Sequence, residues 1–195
     1  MIAAAKIRYL QERIAKEDDT IAYKELFVSF YNSLLRFALG MVKSKEIAEE
    51  IVSDVFIAIW EKRKRISSIG NLQVYLFIAV KNTALNYLSR NKQVVENVDE
   101  SSNELRSVYI DPEQLMVTAE MVARIKAAID QLPPKCRMIF TLIKEEELKY
   151  REVAEIMGIS VKTVEAQLAI ALKKIGTAVH FDIGRAISAP SGNKR

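Results

Sequence analysis

"YREVAEIMGISVKTVEAQ", residues 150–167, is the stretch on which the fold turns. It reads as two short helices around Gly158. The first helix has to end there, and glycine enters the left-handed conformation without the Cβ clash that other residues meet. Ser160 stands where its hydroxyl can accept free N–H groups of the next helix. Thr163 fills the slot where a capping box would have Glu or Gln. On the second helix, steps of about 100° place Val161, Val164, Leu168, Leu172 and Ile175 on one face, to pack on Val153, Ala154 and Met157. The opposite face shows Lys162, Thr163, Ala166, Gln167, Ile170 and Lys173. Small and polar side chains let a helix sink into a major groove and reach base edges. Lys149, Arg151, Lys173 and Lys174 suit phosphates. Lys149 cannot accept amide hydrogen bonds, so a neighbour or water must cap the first helix. The reading is a helix-turn-helix that binds DNA; a plain helical hairpin with a solvated face has the same periodicity.

Composition narrows the rest. The chain has 195 residues, half of them apolar, which is enough for two small cores. Six glycines and four prolines favour helices. A net charge of +4 permits a nucleic-acid partner without demanding one. With a single cysteine, Cys136, and a single histidine, His180, no internal disulfide and no thiolate or histidine metal cluster can form. Cys136 follows Pro134 in a short helix and reads as a buried structural thiol. There is no paired acid–base motif and no glycine-rich phosphate loop, so an enzyme, a cofactor and a small-molecule substrate are not expected. The apolar runs "VFIAIW" and "LFIAV" fall far short of the ~20 residues of a membrane span. The opening "MIAAAKIRYLQERIAKEDD" lacks the apolar core of a signal peptide. A soluble, cytoplasmic protein is expected.

Upstream of the opening stretch, residues 21–42, 44–65 and 72–92 carry apolar residues at helical spacing, with "ISSIGN" (66–71) as a loop. "QVVENVDESSNELRSVYIDPEQ" (93–114) has no helical stripe and six acids against one arginine. It reads as a flexible acidic linker with a break at Asp111–Pro112. The expected fold is therefore all-α: two small helical domains, 1–92 and 115–178, on a linker over 93–114, with a tail over 179–195.

Two helices of the first domain have unusual outer faces. On 44–65 the core stripe is Ala48, Ile51, Val52, Val55, Phe56 and Ile59. The far side holds Glu50, Ser53, Asp54, Ile57, Trp60 and Glu61. Apolar side chains framed by acids suit a basic, partly apolar partner; packing of Ile57 and Trp60 under a neighbouring helix would also explain them. On 72–92 the core stripe is Leu72, Leu76, Val80, Ala84, Tyr87 and Leu88. The far side has Tyr75, Asn82, Asn86 and Ser89, with Lys81, Arg90 and Lys92 near. Amides, an aromatic ring and cations suit unpaired bases on a charged backbone. A plain polar face is the alternative.

Taken together, "AEEIVSDVFIAIWEKR" (48–63), "VYLFIAVKNTALNYLSR" (74–90), "LPPKCRMIFTL" (132–142) and "YREVAEIMGISVKTVEAQLAIALKK" (150–174) resemble the extracytoplasmic-function (ECF) sigma factors of bacterial RNA polymerase, from about residue 8 to 176. The closing pattern "GISVKTVEAQLAIALKKI" is similar to Bacteroidetes-type members. The resemblance implies a sigma region-two bundle over 1–92 and a region-four helix-turn-helix over 115–178. It implies core RNA polymerase as partner, through the β′ clamp coiled coil and the β flap, with promoter DNA and an anti-sigma factor beside it. Glu50, Ser53, Asp54, Ile57, Trp60 and Glu61 then fall on the clamp-binding segment, where a glutamine often stands at the position of Ser53. Ser67, Ser68, Asn71, Tyr75, Lys81, Asn82, Asn86 and Arg90 fall on the part that opens the minus-ten element and captures a flipped base. Lys149, Arg151, Ser160, Lys162, Thr163, Ala166, Gln167, Lys173 and Lys174 fall on the reader of the minus-thirty-five element. An ordinary two-domain regulator, with a ligand-binding or dimerising first half, is the rival reading of the same layout.

Overall fold

The structure is a computed structural model; it describes the backbone of residues 3–91 and 112–188 and the side chains of 3–91 and 121–177. Among the described residues every regular element is a helix: α1 (Ala4–Glu17), α2 (Thr20–Val42), α3 (Lys45–Glu61), a 3-10 helix η1 (Arg63–Ser68), α4 (Leu72–Arg90), α5 (Pro112–Asp130), α6 (Pro134–Lys144), α7 (Tyr150–Met157) and α8 (Val161–Ser188). By backbone contacts the chain sorts into two units, Met1–Glu100 with Arg151–Ile159, and Ser101–Tyr150 with Ser160–Arg195. The acidic segment expected as a linker lies outside the described residues up to Asp111.

Helices α2, α3 and α4 begin on side-chain caps. Asp19 Oδ1 accepts from Ile21 N at 2.8 Å and Ala22 N at 3.0 Å, and the Ala22 N–H in particular holds the carboxyl below its usual range. Arg13 pairs with the other oxygen of Asp19 at 2.6 Å. Ser44 and Asn71 cap α3 and α4 in the same way, accepting from Ile47 N and Val74 N. Asp18 and Lys43 end α1 and α2 in the left-handed conformation, which turns the chain back on itself. The core lies between α2, α3 and α4, with α1 laid across: Ile14, Leu26, Leu34, Ala48, Val52, Leu76, Phe77 and Val80 are all sealed from solvent. Phe77 meets Phe37 edge to face, with ring centroids 5.2 Å apart.

The buried stripe of α3 contains all six residues that periodicity placed there. Two expectations need correction. The helix over 44–65 stops at Glu61 and gives way to η1, because Arg63 and Lys64 both turn to Asp18 at the end of α1, and Arg63 Nη1 also donates to Trp60 O. On α4 the buried face is broader at its start, taking in Val74 and Phe77, while Tyr87 and Leu88 are only half-buried.

In the second unit, Leu132, Cys136 and Ala171 form the centre, with Ile129, Phe140 and Ile175 against them. Pro134 starts α6 where its missing N–H is not needed. The Cys136 thiol is fully buried and donates to Gln167 O at 3.1 Å; burial pushes its pKa up. On α8 the core phase is Val164, Leu168, Ala171, so Leu172, expected inside, is instead 46% exposed. A four-then-three spacing follows the core better than repeated fours, and it selects the alanine. The helix continues to Ser188, past the boundary expected at 178; no proline interrupts it before Pro190.

Candidate functional site

On α3, Glu50, Ser53, Asp54, Ile57 and Glu61 are exposed, Ile57 by 57%. The Ser53 hydroxyl turns back to Glu49 O at 2.8 Å. Trp60 behaves differently from its neighbours. Its ring packs against Tyr23 at 4.8 Å, and the Arg63 guanidinium lies 4.7 Å over it. Tyr23 in turn donates its hydroxyl to Phe56 O at 2.6 Å, and burial pushes the phenol up to about 12. Trp60 is thus half-buried against α2, leaving Ile57 among Glu50, Asp54 and Glu61 as the apolar centre of the open face.

The first unit brings two of the sequence-derived sets together. Between α3 and α4 runs an open groove of about 480 Å³, with Asp54 and Ala58 on one wall and Tyr75, Ala79, Asn82 and Thr83 on the other. Val55, Ile59 and Ile78 form its apolar floor. Ala58, Ala79 and Thr83 were not singled out from the sequence. Ala58 and Ala79 sit one helical turn from Asp54 and Tyr75, and Thr83 one turn further on; small residues at that spacing leave a gap between two packed helices, but the spacing does not say which helices pack. Asn86 and Arg90 lie further along α4 and are exposed; Lys81 is half-buried.

The loop before α4 is more constrained than its Ser and Gly content suggests. Ser68 donates to Arg65 O at 2.7 Å, and Ser67 is half-buried. Asn71 uses Oδ1 for the cap of α4 and donates from Nδ2 to Glu152 Oε1 at 2.9 Å.

The end of α7 is a complete reversal motif. Gly158 N donates to Glu155 O and Ile159 N to Ala154 O, with Gly158 at φ +67. An added Cβ would have ordinary contact only, with Lys81 Nζ at 3.8 Å, so the need for glycine is conformational. Gly158→Ala is expected to destabilise the protein by about 1–2 kcal/mol, and Gly158→Asn by less, since asparagine tolerates this region. Urea denaturation of the three proteins measures both.

Ser160 Oγ accepts from Thr163 N at 3.1 Å and shares a further hydrogen bond with Thr163 Oγ1 at 2.8 Å, so the cap forms without a capping box. Along α8, Lys162, Ala166, Ile170, Lys173 and Lys174 are exposed, and Thr163 and Gln167 half-buried. Lys149 and Arg151 are exposed as well. Among the described residues no helix is long and apolar enough to cross a membrane.

Comparison with known proteins assigns both halves. The family described as "Sigma-70 region 2" matches residues 26–94, and "Sigma-70, region 4" matches 123–175. The ECF RNA polymerase sigma-E factor of Escherichia coli (strain K12) is 27% identical over 179 residues, covering 87% of this chain and 92% of that protein. The RNA polymerase sigma-H factor of Pseudomonas aeruginosa is 24% identical over 188 residues, covering 92% and 96%. Among solved structures, the sigma factor RpoE bound to the anti-sigma factor NepR, from Bartonella quintana, matches with a TM-score of 0.60 at 18% identity, over 82% of this chain and 98% of that one. CnrH in complex with the cytosolic domain of CnrY matches with a TM-score of 0.55, also at 18% identity, over 91% and 99%.

Proposed function

We propose a division of labour for this chain, which belongs to the ECF sigma factors, the transcription initiation factors that bind core RNA polymerase, direct it to promoters through the minus-thirty-five and minus-ten elements and help open the DNA. Residues 1–92 form region two and 115–178 region four, with 93–114 as the tether. The exposed face of α3, Glu50, Asp54, Ile57 and Glu61, docks on a basic, partly apolar helical surface of the β′ clamp. Ser53 lies on that face with its hydroxyl already satisfied, and Trp60 supports it from below through Tyr23 and Arg63. Tyr75, Asn82, Asn86, Lys81 and Arg90 of α4, with Ser67, Ser68 and Asn71, hold the opened minus-ten strand. Capturing a flipped base costs a few kcal/mol of stacking, which a fitted site of amide and aromatic contacts offsets. Lys162, Thr163, Ala166 and Gln167 face the bases of the minus-thirty-five duplex; Ser160 starts their helix, and Lys149, Arg151, Lys173 and Lys174 face its phosphates, while the β flap holds region four from the other side.

The observation that carries this reading is the groove between α3 and α4, where the docking helix and the strand-holding helix share one cleft. Opening DNA where polymerase is gripped requires that neighbourhood. Two anchors in one chain raise the effective concentration of each for one promoter, so a single helix-turn-helix needs no dimer partner. A regulator of the protein follows from the same faces: an anti-sigma factor that covers them; RpoE of Bartonella quintana is solved in complex with the anti-sigma factor NepR. The working compartment is the cytoplasm, where the polymerase is. The test is run-off transcription with purified protein and core RNA polymerase on genomic fragments. Transcripts with defined starts are expected, and starts that fall steeply with added salt. A holoenzyme that starts nowhere overturns the reading.

A further inference from the structure

The region-two match begins at residue 26, so α1 lies outside it. Yet α1 carries a side chain that burial makes conspicuous. Gln11 is 2% exposed, and a primary amide is kept in such a place only by its hydrogen bonds. Its Nε2 donates to Ile66 O at 2.7 Å and to Ile69 O at 2.9 Å, across 55 and 58 residues of chain. One turn earlier on α1, the Arg8 guanidinium donates to Ser67 O. Three carbonyls within four residues of η1 and the loop after it are therefore held from one face of α1. Ile66, also 2% exposed, pins the same segment from its side-chain end. What stays open to solvent is the outer surface of the loop: Ser68, Gly70 and Asn71.

We propose that Gln11, assisted by Arg8, is a positioning residue for promoter opening, one that fixes the backbone of residues 66–69 so that the loop meets the separated minus-ten strand already in shape. It touches no DNA; it acts through the loop. This rests on the assignment of that loop to the minus-ten element made above. The physical ground is preorganisation. A short loop with Ser and Gly has many conformations, and each residue that must be ordered on binding subtracts from affinity and blurs discrimination. Hydrogen bonds to three main-chain carbonyls order it beforehand while leaving Ser68, Gly70 and Asn71 on its solvent side. The effect belongs to base discrimination and opening, and not to the grip on polymerase, which the proposal puts on α3.

The experiment uses the full chain and core RNA polymerase on a promoter mapped by run-off. Wild type, Gln11→Met and Arg8→Ala are compared. Methionine keeps the length and apolar stem of the side chain and removes the donor; Arg8 is exposed, so its loss leaves the core intact. Three quantities are read: affinity for core polymerase, open-complex formation on the mapped promoter and on versions with each minus-ten base replaced, and the same on a template with the minus-ten bases already unpaired. The proposal expects Gln11→Met to lower the preference for the native minus-ten sequence about tenfold, somewhat less than the full loss of two ordinary net hydrogen bonds. Arg8→Ala lowers it by less. Both keep wild-type affinity for polymerase, and the unpaired template restores most of the opening. A preference that stays at the wild-type value in both variants overturns the proposal. So does a loss that falls equally on polymerase affinity and on every promoter, which marks a purely structural glutamine. If Gln11→Met does not fold, Arg8→Ala decides alone by the same criteria. A wild-type protein that starts no transcript overturns the sigma reading itself, before the variants are compared.

Discussion

Asp54→Lys lowers the affinity of the protein for core RNA polymerase on the order of a hundredfold and leaves its thermal unfolding where it was. Asp54 stands exposed on the rim of the groove, on the helix face that also carries Glu50, Ile57 and Glu61. A basic surface that docks there desolvates opposite charges against each other around an apolar centre. Reversing the charge removes the attraction and sets a cation against cations; changes of this kind cost about 2–5 kcal/mol at interfaces. The fold has no stake in the side chain, because the buried residues of α3 lie on the other face. Binding isotherms with labelled protein at two salt concentrations, beside a melting curve, separate the two quantities. An unchanged affinity would remove the α3 face from the docking surface and leave the groove to another ligand.

Phe77→Ala has the opposite profile. The ring is fully buried in α4 and meets Phe37 of α2 at 90°. Truncating a buried phenylalanine costs about 3–5 kcal/mol in lost transfer energy and cavity, a large share of the roughly 5–15 kcal/mol that holds a domain together. The expected fall in midpoint temperature is on the order of 15 °C for a unit of this size. Differential scanning calorimetry gives the number. A shift of only a degree or two would mean that α2 and α4 close over the cavity, and that the first unit is more plastic than its sealed core suggests. Tyr75 and Asn82 ride on the same helix, so minus-ten opening should fail at a lower temperature in this variant than docking by α3 does.

The helical framework was legible because it depends on local signals. The six-residue stripe of α3 follows from a period of 3.6 and nothing else. Gly158 and Ser160 announced a turn and a cap from the chemistry of one residue each. Failures occurred where distant residues decide. Nothing in the pattern of 44–65 says that Asp18 will draw Arg63 and Lys64 aside and end the helix at Glu61. The outward angle of Trp60 left two readings open, and only Tyr23, reaching across from α2, decides for packing under a neighbouring helix. The bonds from Gln11 to the loop span more than fifty residues, and a glutamine between Leu10 and Glu12 looks like any polar position of an amphipathic helix. On α8, Ala171 and Leu172 are adjacent, and hydropathy favours the leucine; packing chose the alanine. Of the functional faces, those made by one helix were readable in outline. The groove, which needs two helices and the small residues between them, was not.

Trp60 has one more consequence. It is the single tryptophan of the chain, and it belongs to the first unit, held between the phenol of Tyr23 and the guanidinium of Arg63. Its emission is therefore a private signal: under selective excitation it follows the unfolding of that unit and is blind to the other. Far-ultraviolet circular dichroism, by contrast, sums helices from both. Laid over each other, the two titration curves measure how far the halves of this protein depend on one another, with no label added and no residue changed.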